Sequence, residues 1–249
     1  MRIGKGHSVC EDYIVHGYDH HPHVILADGC SSSPNTDVGA RSLVYSAKQN
    51  LNISDIGEKS IQIANMIHRL LYLRQQTLDA TLMIMFVKNG NIYIQVYGDG
   101  VIIYVDKNDN VTFDEISYNN NAPYYLTYSL DEKRRKTYIK MNNKKYINDE
   151  ECSVLTPVYR CLPACNYKTI LISSDGISSF MSHEKESLKT NGVVTDVTNF
   201  KNMNGRFIQR RCIRMIKNYE KEDYFHYDDI SIGGINILWL SISKDLLKK

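Results

Sequence analysis

Along the chain, apolar runs of strand length repeatedly end on an aspartate followed by a glycine. "HVILADG" (23–29), "IYIQVYGDG" (92–100) and "TILISSDG" (169–176) share the pattern, and "YDDISIGGINILWL" (227–240) inverts it by opening on Asp228-Asp229. A strand interior is apolar because it is buried, so a carboxylate at its mouth stands where core gives way to water. The glycine beside it lets backbone come close to a neighbour. One such ending is an ordinary turn. Four in one chain point to a shared site.

The longest β signal covers 80–113, where apolar runs are separated by "NGN", "GDG" and "DKNDN". Asn89-Gly90 fits a two-residue type I′ turn, and these runs are expected to be antiparallel neighbours. Apolar residues recur at helical spacing over 56–76 (Ile63, Ile67, Leu70, Leu71), after a Ser54/Asp55 start signal, and over 204–221 (Phe207, Cys212, Met215, Ile216). A shorter helix is expected over 37–50. Antiparallel strand runs with a few long amphipathic helices predict an α+β layered sandwich.

Composition narrows this. A chain of 249 residues with 43% hydrophobic content can bury a sizeable core, and no Pro-rich or Gly/Ser-rich stretch marks a linker, so one domain over 1–249 is expected. A net charge of +2 gives no broad attraction to nucleic acid or to a membrane surface, and no basic groove is evident. The densest charge run, "DEKRRK" (131–136), reads as a solvated loop face. The six cysteines (10, 30, 152, 161, 165, 212) lack paired metal-ligand spacing and read as reduced thiols. The polar N-terminus is unlike a signal segment and no apolar run approaches the ~20 residues of a membrane helix, so a cytoplasmic protein is expected.

Three local motifs resolve into plain turns or loops. His20, His21 and His23 are adjacent, but neighbours along a strand point to opposite faces, so "YDHHPH" reads as a polar hairpin turn and not as a metal site. "DKNDNVTFDEIS" lacks the glycine and glutamate of a calcium loop. "GKGHS" lacks the preceding strand and glycine of a nucleotide loop. The stretch 114–168, rich in Tyr, Asn and Lys, is either extra strands with a substrate-selecting flap or surface elaboration.

If Asp28, Asp175 and Asp228 converge, their charges are tolerable only with protons or cations between them. Oxygen ligands without His or Cys suit Mg2+ or Mn2+ better than zinc. In order along the chain stand Glu11-Asp12 in "CEDY", Asp28-Gly29 followed by Gly39-Ala40, "DATL" ahead of Gly98-Asp99, "SSDG" (173–176) and "DDIS" (228–231). With these motifs over nearly its whole length, the chain resembles the protein phosphatase 2C family of metal-dependent phosphatases. Its "GKGH..CED" opening is most similar to a bacterial branch.

The resemblance implies a four-layer αββα sandwich of two antiparallel β-sheets flanked by helices, with a site for two Mg2+ or Mn2+ ions. It implies that Asp28 bridges both ions, that the Gly29 carbonyl binds one, that Asp175 and Asp228 bind the other, and that Glu11 and Asp12 act through metal-bound waters. The implied activity is hydrolysis of phosphoserine and phosphothreonine in proteins by a metal-bridging water; the partner is then a phosphoprotein, with no nucleic acid and no membrane. An alternative is a phosphatase-like sensing or binding module with weak turnover. Three positions depart from the family pattern. His7 stands where an arginine often grips the substrate phosphate. Ser179 replaces an aspartate that would pair with Asp99 at a third metal. Cys30 replaces a histidine proposed as general acid.

Overall fold

A computed structural model describes residues 1–19, 21–51, 55–141 and 144–237. In chain order the strands among them are β1 (Tyr13–Gly17), β2 (His23–Gly29), β3 (Ala80–Lys88), β4 (Asn91–Tyr97), β5 (Gly100–Asp106), β6 (Val111–Tyr118) and β7 (Lys145–Ile147). They continue with β8 (Glu150–Cys152), β9 (Val158–Pro163), β10 (Tyr167–Ser173), β11 (Phe180–Ser182), β12 (Tyr224–His226) and β13 (Ile232–Asn236). The helices are α1 (Thr36–Gln49), α2 (Ile56–Leu70), α3 (Glu132–Lys140), α4 (Thr190–Thr198) and α5 (Phe207–Lys221).

One sheet has the order β1-β2-β3-β4-β9, a second β13-β10-β5-β6-β7-β8, and β11 pairs with β12 in a small ribbon. Every pairing is antiparallel. Side chains alternate across each strand, and this alternation builds three apolar layers. Val24 and Leu26 of β2 join Ile170 and Ile172 of β10 between the sheets. Ile25 and Ala27 point the other way, onto Leu43 and Val44 of α1 and Ile61 of α2. On the far side, Leu171 of β10 packs with Val193 and Val197 of α4 and with Met215 and Ile216 of α5. Each fully buried aliphatic side chain contributes about 1.5–3 kcal/mol relative to exposure, and these layers hold the helices on the sheets as an αββα sandwich.

The β3–β4 hairpin turns on Asn89 and Gly90, with φ of 50° and 77°, as a type I′ turn requires. The "YDHHPH" stretch joins β1 to β2, whose register runs to Gly17 opposite His23; His20 lies outside the described residues, as does Ser54 of the helix start signal. "DKNDN" closes the β5–β6 hairpin, with Asp106 Oδ1 accepting the Asn108 and Asn110 amides at 2.7 and 2.9 Å. The six cysteines are unpaired. No helix among the described residues is long and apolar enough to cross a membrane.

Three expectations need correction. The runs on either side of "GDG" are not neighbours: β4 lies in one sheet and β5 in the other, so Gly98-Asp99 is a crossing between sheets and not a hairpin. The crossing depends on left-handed backbone at Gly98 (φ 103°) and Gly100 (φ 128°), where side chains would also strike Thr81 and the Ser173 carbonyl. The helix expected over 56–76 ends at Leu70, and its buried face carries Ile56, Ser60, Ile61, Ala64 and His68. Small residues on that face let α2 settle closely, which leaves Leu70 79% and Leu71 59% exposed beyond the packed region. The "DEKRRK" run is a helix, α3, started by Asp131 accepting the amides of Lys133 and Arg134.

Candidate metal and phosphate site

The aspartates of the strand ends collect at one end of the sandwich because the register places them there. Asp28 and Gly29 close β2 opposite Thr81 and Ala80. Ser173 closes β10 between Val101 and Ile232, so the chain running on to Asp175 and the chain arriving from Asp228 lie at the same mouth. Gly176 permits the approach of these two segments: a Cβ there would sit 1.8 Å from the Asp229 carbonyl oxygen. Asp99, on the crossing, is held by the Thr81 hydroxyl at 2.6 Å.

The N-terminal segment lies across this mouth and brings Glu11 and Asp12. Arg2 exchanges both backbone hydrogen bonds with Ile230, at 2.8 and 2.9 Å. The carboxylate of Asp229, 1% exposed, accepts the Gly4 amide at 2.7 Å and the Glu11 amide at 2.6 Å. Ser174 donates to Asp12 Oδ2 at 2.9 Å, and Thr36, at the start of α1, donates to Glu11 Oε1 at 2.9 Å.

The acids divide into two sets. Asp28, Asp175 and Asp228 are partly exposed at the mouth, whereas Asp12 and Asp99 are buried at 2% and 7% exposure. Close protein packing around Asp28, together with the charges of Asp12, Asp175, Asp99 and Asp228, pushes its carboxyl well above the usual carboxylate range. Burial pushes Asp12 and Asp99 up to about 7. Asp175 is raised by burial and then by the charge of Asp228. Asp28 is in hydrogen-bonding contact with both Asp12 and Asp175. Asp12 also meets the Ser231 hydroxyl, besides that of Ser174.

The convergence is therefore pairwise. Among the described residues no three His, Cys, Asp or Glu side chains are drawn together tightly enough to hold an ion as they stand. A hydrated hard cation does not need such a cage, because Mg2+ keeps several waters and takes only one or two carboxylates directly. Carboxylates in contact with one another fit a cation of that kind.

His7 sits at the rim among three acids: its Nδ1 lies 3.2 Å from Asp229 and 3.8 Å from Glu11, and its Nε2 lies 3.4 Å from Asp228. Burial alone would lower its pKa, but the Asp229 contact and the charges of Asp229, Asp228 and Glu11 outweigh this and raise it. Ser179 donates to the Gly176 carbonyl at 2.8 Å and accepts the Asp228 amide at 3.2 Å. The Cys30 sulfur lies 3.0 Å from the Ser32 hydroxyl.

Two contributors were not singled out in the sequence. In the sequence Asp229 is only the second residue of an acidic pair, and its anchoring role depends on amides 218 and 225 positions away. Asp79, the first residue of "DATL", is 3% exposed and accepts two bonds from the Arg134 guanidinium, at 2.8 and 3.1 Å, and one each from Ser33 and Thr127. It ties α3, part of the 114–168 stretch, to the loop after Gly29, whose Cys30 amide reaches the Asp79 carbonyl at 2.9 Å.

A family profile described as Protein phosphatase 2C matches residues 3–210. No curated protein matches the sequence. Among solved structures, the chain is similar to the serine/threonine phosphatase Stp1 from Staphylococcus aureus, at 12% identity over 92% of this chain and 90% of that one, with a TM-score of 0.57. It is similar to the S. agalactiae serine/threonine phosphatase, at 14% identity over 93% and 94%, TM-score 0.57. It also resembles the catalytic domain of the serine/threonine phosphatase PstP solved with 2 manganese ions, at 14% identity over 93% of each chain, TM-score 0.53. At such identities the structures establish the shared fold, and the profile covers most of the chain. The chain belongs to the protein phosphatase 2C family.

Proposed function

We propose that this protein is a metal-dependent phosphatase that hydrolyses phosphoserine and phosphothreonine in proteins. The observation that carries the reading is the linked set of carboxylates at the strand mouths, with Asp28 against both Asp12 and Asp175. Like charges in contact need protons or cations between them, and an opening that leaves Asp28, Asp175 and Asp228 partly exposed admits cations. Family membership and a structural relative solved with two manganese ions support cations.

The residues proposed to hold two Mg2+ or Mn2+ ions are Asp28, between both, the Gly29 carbonyl, Asp175 and Asp228, with Glu11 and Asp12 acting through water. When bound, the ions supply an activated water and positive charge to receive a phosphate. The chain's own contribution is orientation. Asp229 fixes the backbone at Gly4 and Glu11, Thr36 sets the Glu11 carboxylate, and Ser174 sets that of Asp12. His7, at the rim, is the proposed contact to the substrate phosphate, within a single domain spanning 1–249. Asp99 is the candidate for a third ion, although Ser179 offers no carboxylate beside it and its hydroxyl is already bonded.

A second reading, a phosphatase-like binding module, is favoured by one observation: both ring nitrogens of His7 face carboxylates. Phosphate release from a phosphoserine peptide separates the two. The phosphatase reading expects Mn2+-dependent turnover that EDTA abolishes and that Asp28→Asn loses while remaining folded by circular dichroism. Full activity in EDTA would overturn the metal assignment, and Mn2+-loaded protein that binds the peptide without turnover would establish the module.

A further inference from the structure

The net charge is small and the cations are dispersed along the chain, so the sequence shows no basic groove. The fold gathers some of them. The turn after α4 brings Lys201 and Asn202 against the first half of α5, and a cleft of about 100 Å3 forms there, lined by Lys201, Arg210, Arg211 and Arg214 with Phe207 in its wall. No carboxylate-bearing residue lines it. Arg211 pairs with Asp196 at 3.6 Å, and Arg210 donates to the Asn202 amide oxygen at 2.8 Å. Lys201 and Arg214 are exposed and have no ion-pair partner among the described residues. Arg206 and Lys217, also exposed, extend the same row at spacings of four, four and three residues from Arg210 and Arg214, which places them along one side of α5.

The cleft is separate from the aspartate cluster. Phe207 also borders a second cavity, of about 270 Å3, lined by Gly17, His23 and Asn236. Those residues lie at the strand ends opposite Asp28 and Ser173.

We propose that this cleft binds a phosphorylated, acidic peptide segment, with the phosphoryl group in the cleft and neighbouring acidic side chains along Arg206, Arg214 and Lys217. Guanidinium forks match the paired oxygens of a phosphate, and several cations without a lining carboxylate leave an unbalanced positive charge. A concavity closed by Phe207 takes one compact anion and suits an isolated phosphoryl group better than a long polyanion. A membrane surface fits less well: on α5, Ile213 is the exposed large apolar residue, and one such side chain is too little to anchor in lipid. The choice of a protein-borne phosphoryl group rests on the phosphatase reading; the anion chemistry of the cleft does not. A bound phosphosegment here would hold a multiply phosphorylated partner on the enzyme while another of its sites reaches the aspartates.

The test uses the full chain in EDTA and a fluorescein-labelled peptide, Glu-Glu-phosphoserine-Glu-Glu, followed by anisotropy, with its serine counterpart as control. The expected result is at least tenfold tighter binding of the phosphopeptide than of the control. Arg210→Glu with Arg214→Glu should lose that preference by tenfold or more, and the milder pair Arg210→Gln with Arg214→Gln by threefold or more. Turnover of p-nitrophenyl phosphate in Mn2+ should stay within twofold, because neither arginine is near the aspartates. Arginine-dependent binding without any turnover would sustain the cleft and sink the phosphatase reading. Variants that bind the phosphopeptide within twofold of the native protein would overturn the proposal. So would inorganic phosphate competing as tightly as the peptide itself, or arginine-dependent sedimentation with phosphatidylserine vesicles without a peptide preference.

Discussion

Replacing Asp99 by asparagine should stabilise the metal-free protein at alkaline pH, against the usual outcome for a buried polar substitution. Asp99 is buried beside Asp175, and burial followed by that charge raises its pKa to about 7. In the unfolded chain an aspartate titrates near 3.9, so between about pH 4 and 7 the folded protein holds a proton that the unfolded chain has released. Stability from this group is therefore full below the unfolded pKa and is lost as pH rises through the folded one. Three pKa units at 1.36 kcal/mol each set an upper bound of about 4 kcal/mol, and proton sharing with the neighbouring acids reduces it to about 2–4 kcal/mol. Asparagine keeps an oxygen to accept the Thr81 hydroxyl and carries no charge. Urea unfolding in EDTA should show Asp99→Asn more stable than the native protein by about 2–4 kcal/mol at pH 8, with the gap shrinking toward pH 4. A variant equally or less stable at pH 8, with the same gap at pH 5, would refute the electrostatic reasoning.

Other substitutions probe the scaffold around the cluster. Asp229→Ala leaves the amides of Gly4 and Glu11 without their acceptor and should cost about 2–4 kcal/mol, read as a lower melting temperature and faster proteolysis before Glu11. Arg134→Ala removes the fork from buried Asp79, whose bonds from Ser33 and Thr127 remain, so a loss of about 1–3 kcal/mol is expected in urea unfolding. Leu171→Ala, in the layer under α4 and α5, should cost about 2–5 kcal/mol by the same measurement.

What could be read from the chain was what local order determines. The type I′ turn at Asn89-Gly90 needs only its two residues, and the alternation through β2 shows directly which side chains face which layer. The Asp-Gly strand ends were legible because a polar stop after an apolar run is a local signal. What escaped depends on partners distant in sequence. Whether "GDG" folds back or crosses between sheets is decided by what β4 and β5 pair with, β9 on one side and β10 on the other. The buried face of α2 differs from the apolar stripe because spacing marks only an available stripe, whereas close packing through Ser60 and Ala64 decides the buried one. Asp79 meets Arg134 from 55 residues away, and Lys201 meets Arg214 only through the turn before α5.

The central claim is that the acids at the strand mouths exist to hold cations. Anomalous diffraction at the manganese edge, from crystals soaked in low-millimolar Mn2+, tests it most directly. The account predicts two peaks adjoining Asp28, one of them shared with Asp175 and Asp228. Fully formed crystals with no anomalous peak beside these three carboxylates would contradict it.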